Sequence, residues 1–294
     1  MKKIVLIISL AMSLLHSEVI KVVPFAGAIS YSDDSEKSIK ESSSLVGLYT
    51  NSGTLDYLLE FSYSHLDTTY RSDENLSNLQ QHDISLIYGK YFQDYMFRVG
   101  VHYTQTNDTI LGNGIIAVLG IGSYKNIVYD RLTYGVEGYY SIYENRINEN
   151  SSRSSSNLLG IFQLTPYLTY FKSISTTMSN QISLKGNFQV ADSYAQKEYL
   201  SYELRDTFYY KSLFLELYFY GGEMKSGVKD TGLSVYNSLD LIKSGYSAKV
   251  GYYINTDLIT TFSYGVNSYK EYRITHYGNK AENSVAVATL SYRF

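Results

Sequence analysis

Cysteine and tryptophan are absent from this 294-residue sequence, and proline occurs only at Pro24 and Pro166. Without cysteine, disulfides and thiolate metal sites are both excluded. The near-absence of proline removes a main obstacle to long ladders of paired strands, because proline has no N–H to donate. Long hydrophobic runs are missing too. Beyond the first fifteen residues no apolar stretch approaches the roughly 20 residues that a spanning helix needs. Nor is charge of one sign in excess: 25 Lys and Arg face 28 Asp and Glu, for a net charge of −3. With so mild a balance and no basic patch, nucleic acid is not an expected partner.

What the chain has in abundance is tyrosine, 33 residues, joined by 12 Phe. A Tyr-, Ser- and Thr-rich, Pro-poor composition favours strands over helices. At the start, Lys2 and Lys3 precede an apolar run from Ile4 to Leu15, followed by His16, Ser17 and Glu18. A basic start, a short apolar core and a small residue before a polar one read as a secretory signal peptide. Residues 1–17 are expected to be removed after Ser17, which takes the formal charge from −3 to −5 and leaves 18–294 as one domain. No Cys follows the run, so no lipid anchor is expected there.

The remainder alternates in polarity, and long polar connections take turns with short ones. Strands read from Val19 to Tyr31, Ser43 to Thr50 and from Leu55, where Leu55, Tyr57, Leu59, Phe61 and Tyr63 oppose Asp56, Glu60, Ser62 and Ser64. Such alternation sends one set of side chains to each face of a sheet. Further strands follow around Ile84 to Tyr88, Tyr95 to Thr104, Gly114 to Tyr124, Arg131 to Tyr143, Leu158 to Tyr170, Met178 to Val190, Lys197 to Tyr209 and Leu213 to Tyr220. The last three lie around Tyr246 to Tyr252, from Leu258 to Val266 and from Val285 to Phe294. About fourteen strands result, with seven long loops and six short turns. The stretch Gly221 to Leu233 is a loop with an unclear far edge. Gly114 to Tyr124 is Gly-rich and weak as a strand; were it and a neighbour an outer hairpin, the count would be twelve.

The final strand carries the most telling pattern. Ala286, Ala288, Leu290, Tyr292 and Phe294 share one face, while Val287, Thr289, Ser291 and Arg293 share the other, and the sequence stops at the aromatic. This resembles the closing strand of bacterial outer-membrane β-barrels, in which a terminal aromatic is read by the assembly machinery. With the even strand count, the whole chain resembles monomeric porins of about fourteen strands. The resemblance implies an all-β, antiparallel, up-and-down transmembrane barrel in the outer membrane of a Gram-negative bacterium. Outer-membrane lipid, the barrel assembly machinery and small hydrophilic solutes are then the expected partners, with Tyr292 and Phe294 as the assembly signal. Pro24 is expected to mark a bulge or strand end in the first strand. No stretch stands out as a long loop folded into the lumen, such as the trimeric porins carry, so a monomer is expected.

If the apolar faces meet lipid, the polar faces line the lumen. They supply the acids Asp56, Glu60, Asp83, Glu137, Glu203 and Glu216 against the bases Arg98, Arg131, Lys185, Arg205, Lys249 and Arg293. Six against six is a mixed lining, whereas strong ion selectivity needs a ring of one sign. A channel for passive diffusion of small hydrophilic solutes is therefore the leading expectation. The rival for the same residues is that opposite charges pair along the wall and satisfy one another. Tyr139, Tyr143, Tyr199, Phe214, Tyr218, Tyr220 and Tyr253 also face inward by parity, and space filling is favoured over a sugar-binding track. Two other functions compete: a barrel hydrolase acting on surface lipid, with His102 as base, and an adhesive or structural barrel with a plugged lumen. His102 could meet Glu60 or Glu137 only if the barrel's shape brought them together, while His65 and His82 sit on the lipid-facing parity. No cofactor or metal site is implied, the loop acids Asp33, Asp34, Asp73 and Glu74 being read as solvated charge.

Overall fold

Alternating polarity over a dozen residues makes a ribbon with two unlike faces. In lipid every N–H and C=O of such a ribbon needs a neighbouring strand, so the stable solution is closure. A computed structural model shows that closure, and it describes residues 19–31, 39–54, 56–71, 77–108, 110–145, 158–192, 196–235, 240–272 and 279–294. The expected signal segment 1–17, the acids Asp33, Asp34, Asp73 and Glu74, and His276 lie outside these residues.

The wall begins with β1 (Val19–Tyr31), β2 (Lys40–Gly53), β3 (Tyr57–Tyr70), β4 (Leu79–Phe92), β5 (Tyr95–Thr106), β6 (Leu111–Ile127) and β7 (Asp130–Asn145). It continues with β8 (Leu158–Ser175), β9 (Met178–Ala191), β10 (Glu198–Tyr210) and β11 (Leu213–Lys225). Two short strands, β12 (Val228–Lys229) and β13 (Ser234–Val235), pair with each other outside the wall and flank a single 3-10 turn, Asp230–Gly232. The wall resumes with β14 (Leu241–Tyr253), β15 (Leu258–Glu271) and β16 (Asn279–Arg293). Each wall strand is antiparallel to its sequence neighbours, and β1 pairs with β16 to close a barrel of fourteen strands. The weak strand Gly114 to Tyr124 is an ordinary member: β6 pairs with both β5 and β7, which excludes the twelve-strand count.

Strands of about 9–11 tilted residues cross a bilayer, yet these run from 12 to 18 residues. The surplus projects at the end opposite the chain termini. There Asp67 pairs with Ser44 and Gln80, so residues whose polarity reads as loop are still strand. Pro24 forms neither a bulge nor an end. It keeps register with Leu48 of β2, and the β16 ladder skips Val23 and Pro24 without shifting between Val22–Tyr292 and Phe25–Thr289. Its ring faces outward, so the missing donor costs one rung.

Outward positions carry Leu86, Phe97, Val99, Leu119, Leu184, Leu215, Phe219, Val250 and Phe262, all exposed large apolar side chains. This belt is the surface that lipid covers. Inward aromatics instead lie over glycines on the neighbouring strand: Phe25 over Gly47, Tyr143 over Gly114 and Phe214 over Gly251, where a Cβ would collide with the ring. The tyrosine excess thus serves both faces of the wall.

Candidate functional site

The connection between β11 and β14, described over 226–235 and at Asp240, enters the barrel, contrary to the expectation that no loop folds inward. The inner wall meets it with polar side chains that pair with its backbone. Gln163 Oε1 accepts from Val228 N–H at 2.9 Å, and Gln163 Nε2 donates to Val228 O at 2.8 Å. Gln189 Oε1 accepts from Lys225 N–H at 3.2 Å. His102 Nδ1 donates to Gly232 O at 3.0 Å, while its Nε2 faces Asp83 Oδ1 at 3.1 Å. Gly232 has φ +94°, and a Cβ there would come within 2.8 Å of Val118, so both backbone shape and space favour glycine. Between these polar clamps an apolar contact forms. Val228 is buried with Ile116, Val118, Tyr139, Tyr143, Leu159, Ile161 and Tyr199.

That cluster explains why β6 looks weak in sequence. Its run Ile115-Ile116-Ala117-Val118-Leu119 is apolar on both faces, because the outer face meets lipid and the inner face meets the loop. An inner face that turns apolar was the available signal for a plug. The loop residues themselves, among them Ser226, Gly227 and Lys229, gave none.

The predicted lumen charges separate into two groups. In the first, Arg98 reaches two carboxylates on either side: Nη1 donates to Glu137 Oε1 at 2.7 Å, and Nη2 pairs with Glu60. The strands between them carry Gly89 and Gly120 opposite Arg98, leaving room for the long side chain to cross. Tyr49 and Tyr139 hydroxyls donate to the remaining oxygens of Glu60 and Glu137, at 2.8 and 2.5 Å. In the second group, Glu216 accepts from Lys249 at 2.9 Å and lies 3.9 Å from Arg205, which also reaches Asp230 of the loop at 3.5 Å. Glu203 accepts from Asn187 at 3.3 Å. Lys185 faces inward near Asp230 and depresses the pKa of that carboxyl.

Asp56 and Arg131 sit elsewhere. Asp56 is exposed in the turn before β3, which starts at Tyr57, so it does not line the wall, and Leu55, where the sequence places the strand's start, lies outside the described residues. The turn forms there because Thr54 Oγ1 accepts from Asp56 N–H and Thr54 N–H bonds across to Tyr57 O. Arg131 lines a vestibule of about 430 Å³ at the chain-terminus end of the barrel, with Tyr91, Met96, Tyr124 and Tyr167. All seven inward aromatics do face the lumen, and Tyr139, Tyr143 and Tyr199 are packed in the plug's cluster rather than forming a track.

Enclosure raises the cost of ionising Asp230, but Arg205, Lys185, Lys229 and Lys249 outweigh it and hold the carboxyl below the ordinary aspartate range. Burial lowers the pKa of the Lys229 ammonium as well, against the acids Glu203 and Asp230. His102 is fully buried with both ring nitrogens facing acceptors, and it meets neither Glu60 nor Glu137. A histidine so enclosed, with each ring nitrogen against a partner of the protein itself, presents neither nitrogen to a substrate in the chamber. His65 and His82 face outward and stack at 4.4 Å, and no cluster of three metal-ligating side chains occurs among the described residues.

Above the Arg98 group lies a larger chamber of about 490 Å³, opening toward the long-loop end. Phe25, Ile29, Leu45, Leu66, Ile242 and Val285 form apolar sides, and Leu233 of the plug closes one flank. Its rim carries Tyr31, Lys40, Asp240 and Tyr269. Along this chamber Phe25, Ile29 and Val285 point in, while Ala26, Ala28, Ala286 and Ala288 of the same two strands point out.

No family model matches the sequence, and no characterised protein matches it significantly. Solved structures do match in fold. The Ralstonia pickettii toluene transporter TbuX superposes with a TM-score of 0.54 at 9% identity, covering 96% of this chain and 90% of that one. The CymD monoaromatic hydrocarbon channel gives 0.53 at 10% identity, covering 94% and 88%. A Pseudomonas aeruginosa FadL homologue gives 0.51 at 10% identity, covering 97% and 91%. This chain has the fold of the bacterial outer-membrane barrels.

Proposed function

We propose that the protein is an outer-membrane channel for small hydrophilic solutes, held shut by the loop segment 226–235. The observation that carries this reading is how the loop is held. Side-chain amides and an imidazole clamp its backbone, leaving a chamber above and a vestibule below. Such a plug can be withdrawn without taking a strand out of the wall. The polar, charge-paired wall around Arg98 and Glu216 supports hydrophilic solutes and modest ion selectivity. The superposable barrels include a hydrocarbon channel and a toluene transporter, which supports transport over catalysis. The location in this reading is the outer membrane of a Gram-negative bacterium, reached as a monomer after cleavage of residues 1–17.

Single-channel recording of the refolded protein in a planar bilayer tests the reading. Brief discrete openings are expected, becoming long-lived when residues 227–239 are replaced by a short Gly-Ser linker. Silence in both proteins at every voltage would reject the channel and favour a plugged, structural barrel. That second reading draws on the same clamps.

A further inference from the structure

The rim of the outer chamber holds an ammonium already. Lys40, the first residue of β2, places Nζ 5.7 Å from the ring centre of Tyr31 and 5.3 Å from that of Tyr269. Those rings stand 6.4 Å apart at 81°, two walls of a corner. Asp240 pairs with the ammonium, and both side chains are nearly enclosed, at 12% and 10% exposure. The corner is built rather than incidental. The Tyr31 hydroxyl is tied to Ser43 Oγ at 3.1 Å. Glu271, fully buried behind Tyr269, takes the backbone N–H of Ile39 at 3.2 Å. Between the two strands β16 sets the small Ala281 opposite Tyr269 and the amide of Asn283 opposite Tyr31. Aromatic faces at this range, joined by a carboxylate, make a cage for organic cations.

Directly beneath the cage lie the apolar sides formed by Phe25, Leu45, Leu66 and Val285. We infer that the outer chamber binds small organic ammonium solutes, the cationic head taking the place of Lys40 in the Tyr31–Tyr269–Asp240 cage and the apolar body descending into the chamber. Lys40 enters from the end of a strand, so its withdrawal disturbs no ladder. Exchange of one ammonium for another keeps the charge of the cage constant, and burial of the solute's carbon skeleton favours the exchange. A neutral solute gains only the apolar contact, and a carboxylate meets Asp240 with like charge. This names the solute class of the proposed channel and rests on that reading for how the solute arrives.

The test uses the absence of tryptophan from the chain. A Leu66→Trp reporter inside the chamber, with Phe262→Trp on the lipid-facing side as control, is placed in lipid nanodiscs. It is titrated with hexylammonium, hexanol and hexanoate. Hexylammonium is expected to bind at least tenfold more tightly than either of the others at the chamber reporter only. Lys40→Met, which vacates the cage, is expected to tighten hexylammonium about threefold or more. Tyr269→Leu and Asp240→Asn are expected to abolish the preference while the barrel keeps its folded gel mobility. Equal affinity for the three headgroups, or a preference that survives Tyr269→Leu, overturns the inference. If Lys40→Met fails to assemble, the two cage variants decide alone. Conductance recorded in parallel separates the readings. Openings without headgroup preference remove the cage site, whereas preference without openings removes the channel and leaves the site.

Discussion

The Nδ1 of His102, midway along β5, lies 3.0 Å from the carbonyl oxygen of Gly232, a residue 130 positions further along the chain. This contact and the Gln163–Val228 pair are two of the points where the wall grips the plug. Leaving a buried backbone group unpaired costs about 1–3 kcal/mol. Gln163→Leu strands both groups of Val228, about 2–6 kcal/mol together, so it is expected to raise the ratio of open to closed states by roughly 30-fold or more, at 1.4 kcal/mol per factor of ten. Open probability in a planar bilayer measures it. An unchanged ratio in Gln163→Leu and His102→Leu alike would mean that these bonds do not hold the loop.

Closure should respond to acid. Asp230 titrates below its ordinary range when the loop is docked, because Arg205, Lys185, Lys229 and Lys249 face it, with Glu203 and Glu216 nearby on the same wall. A lowered carboxyl pKa contributes to docking above the undocked value, about 3.9, and that contribution is lost as pH falls through the depressed value. Lys229, lowered by burial, adds the same sign at the other extreme: docking strengthens as pH rises through its lowered pKa. Open probability is therefore expected to climb below about pH 4. Asp230→Asn should open the channel at neutral pH and flatten that acid limb. A limb as steep in the variant as in the native protein would assign it to another group.

Strand number, direction and the lipid-facing set were legible because alternation is a local property: each residue reports its own face. The boundaries of β1 follow from the sequence alone. What alternation cannot carry is contact between distant segments. The pairing of His102 with Asp83 and Gly232, or of Arg98 with Glu60 and Glu137, depends on shear and on which strands are glycine-notched. Asp56 shows the limit at strand ends, where parity continues on paper although the chain has already turned. The plug was invisible in its own residues and visible only by implication in Ile116 and Val118, inward residues that should have been polar had they faced water.

Arg98 offers a stability test that is independent of transport. Its guanidinium and both partner carboxylates are buried, at 8%, 7% and 2% exposure. Removing one member of such a group leaves uncompensated charge and costs roughly 3–5 kcal/mol. Arg98→Leu is expected to lower the urea stability of the vesicle-embedded barrel by about that much. Adding Glu60→Gln and Glu137→Gln should restore most of it, since the amides need no counter-charge. A single variant with native stability would show that water reaches both carboxylates.

The end of the chain separates recognition from structure. Phe294 donates its N–H to Ile20 O at 2.8 Å, and its ring packs edge-on against Tyr292 with centres 4.6 Å apart. Yet the ring is 71% exposed and fills no space inside the wall. Deleting Phe294 therefore removes one rung at the seam, on the order of 1 kcal/mol, from a barrel whose β1–β16 ladder continues for many residues. If the residue serves mainly as the signal read during assembly, the deletion should sharply reduce the folded protein recovered from outer membranes. Protein refolded into vesicles should lose no more than about that one bond. Phe294→Tyr should behave as native in both settings. A large loss of stability in vesicles would make the residue a structural clasp, and normal recovery from cells would remove its role as a signal.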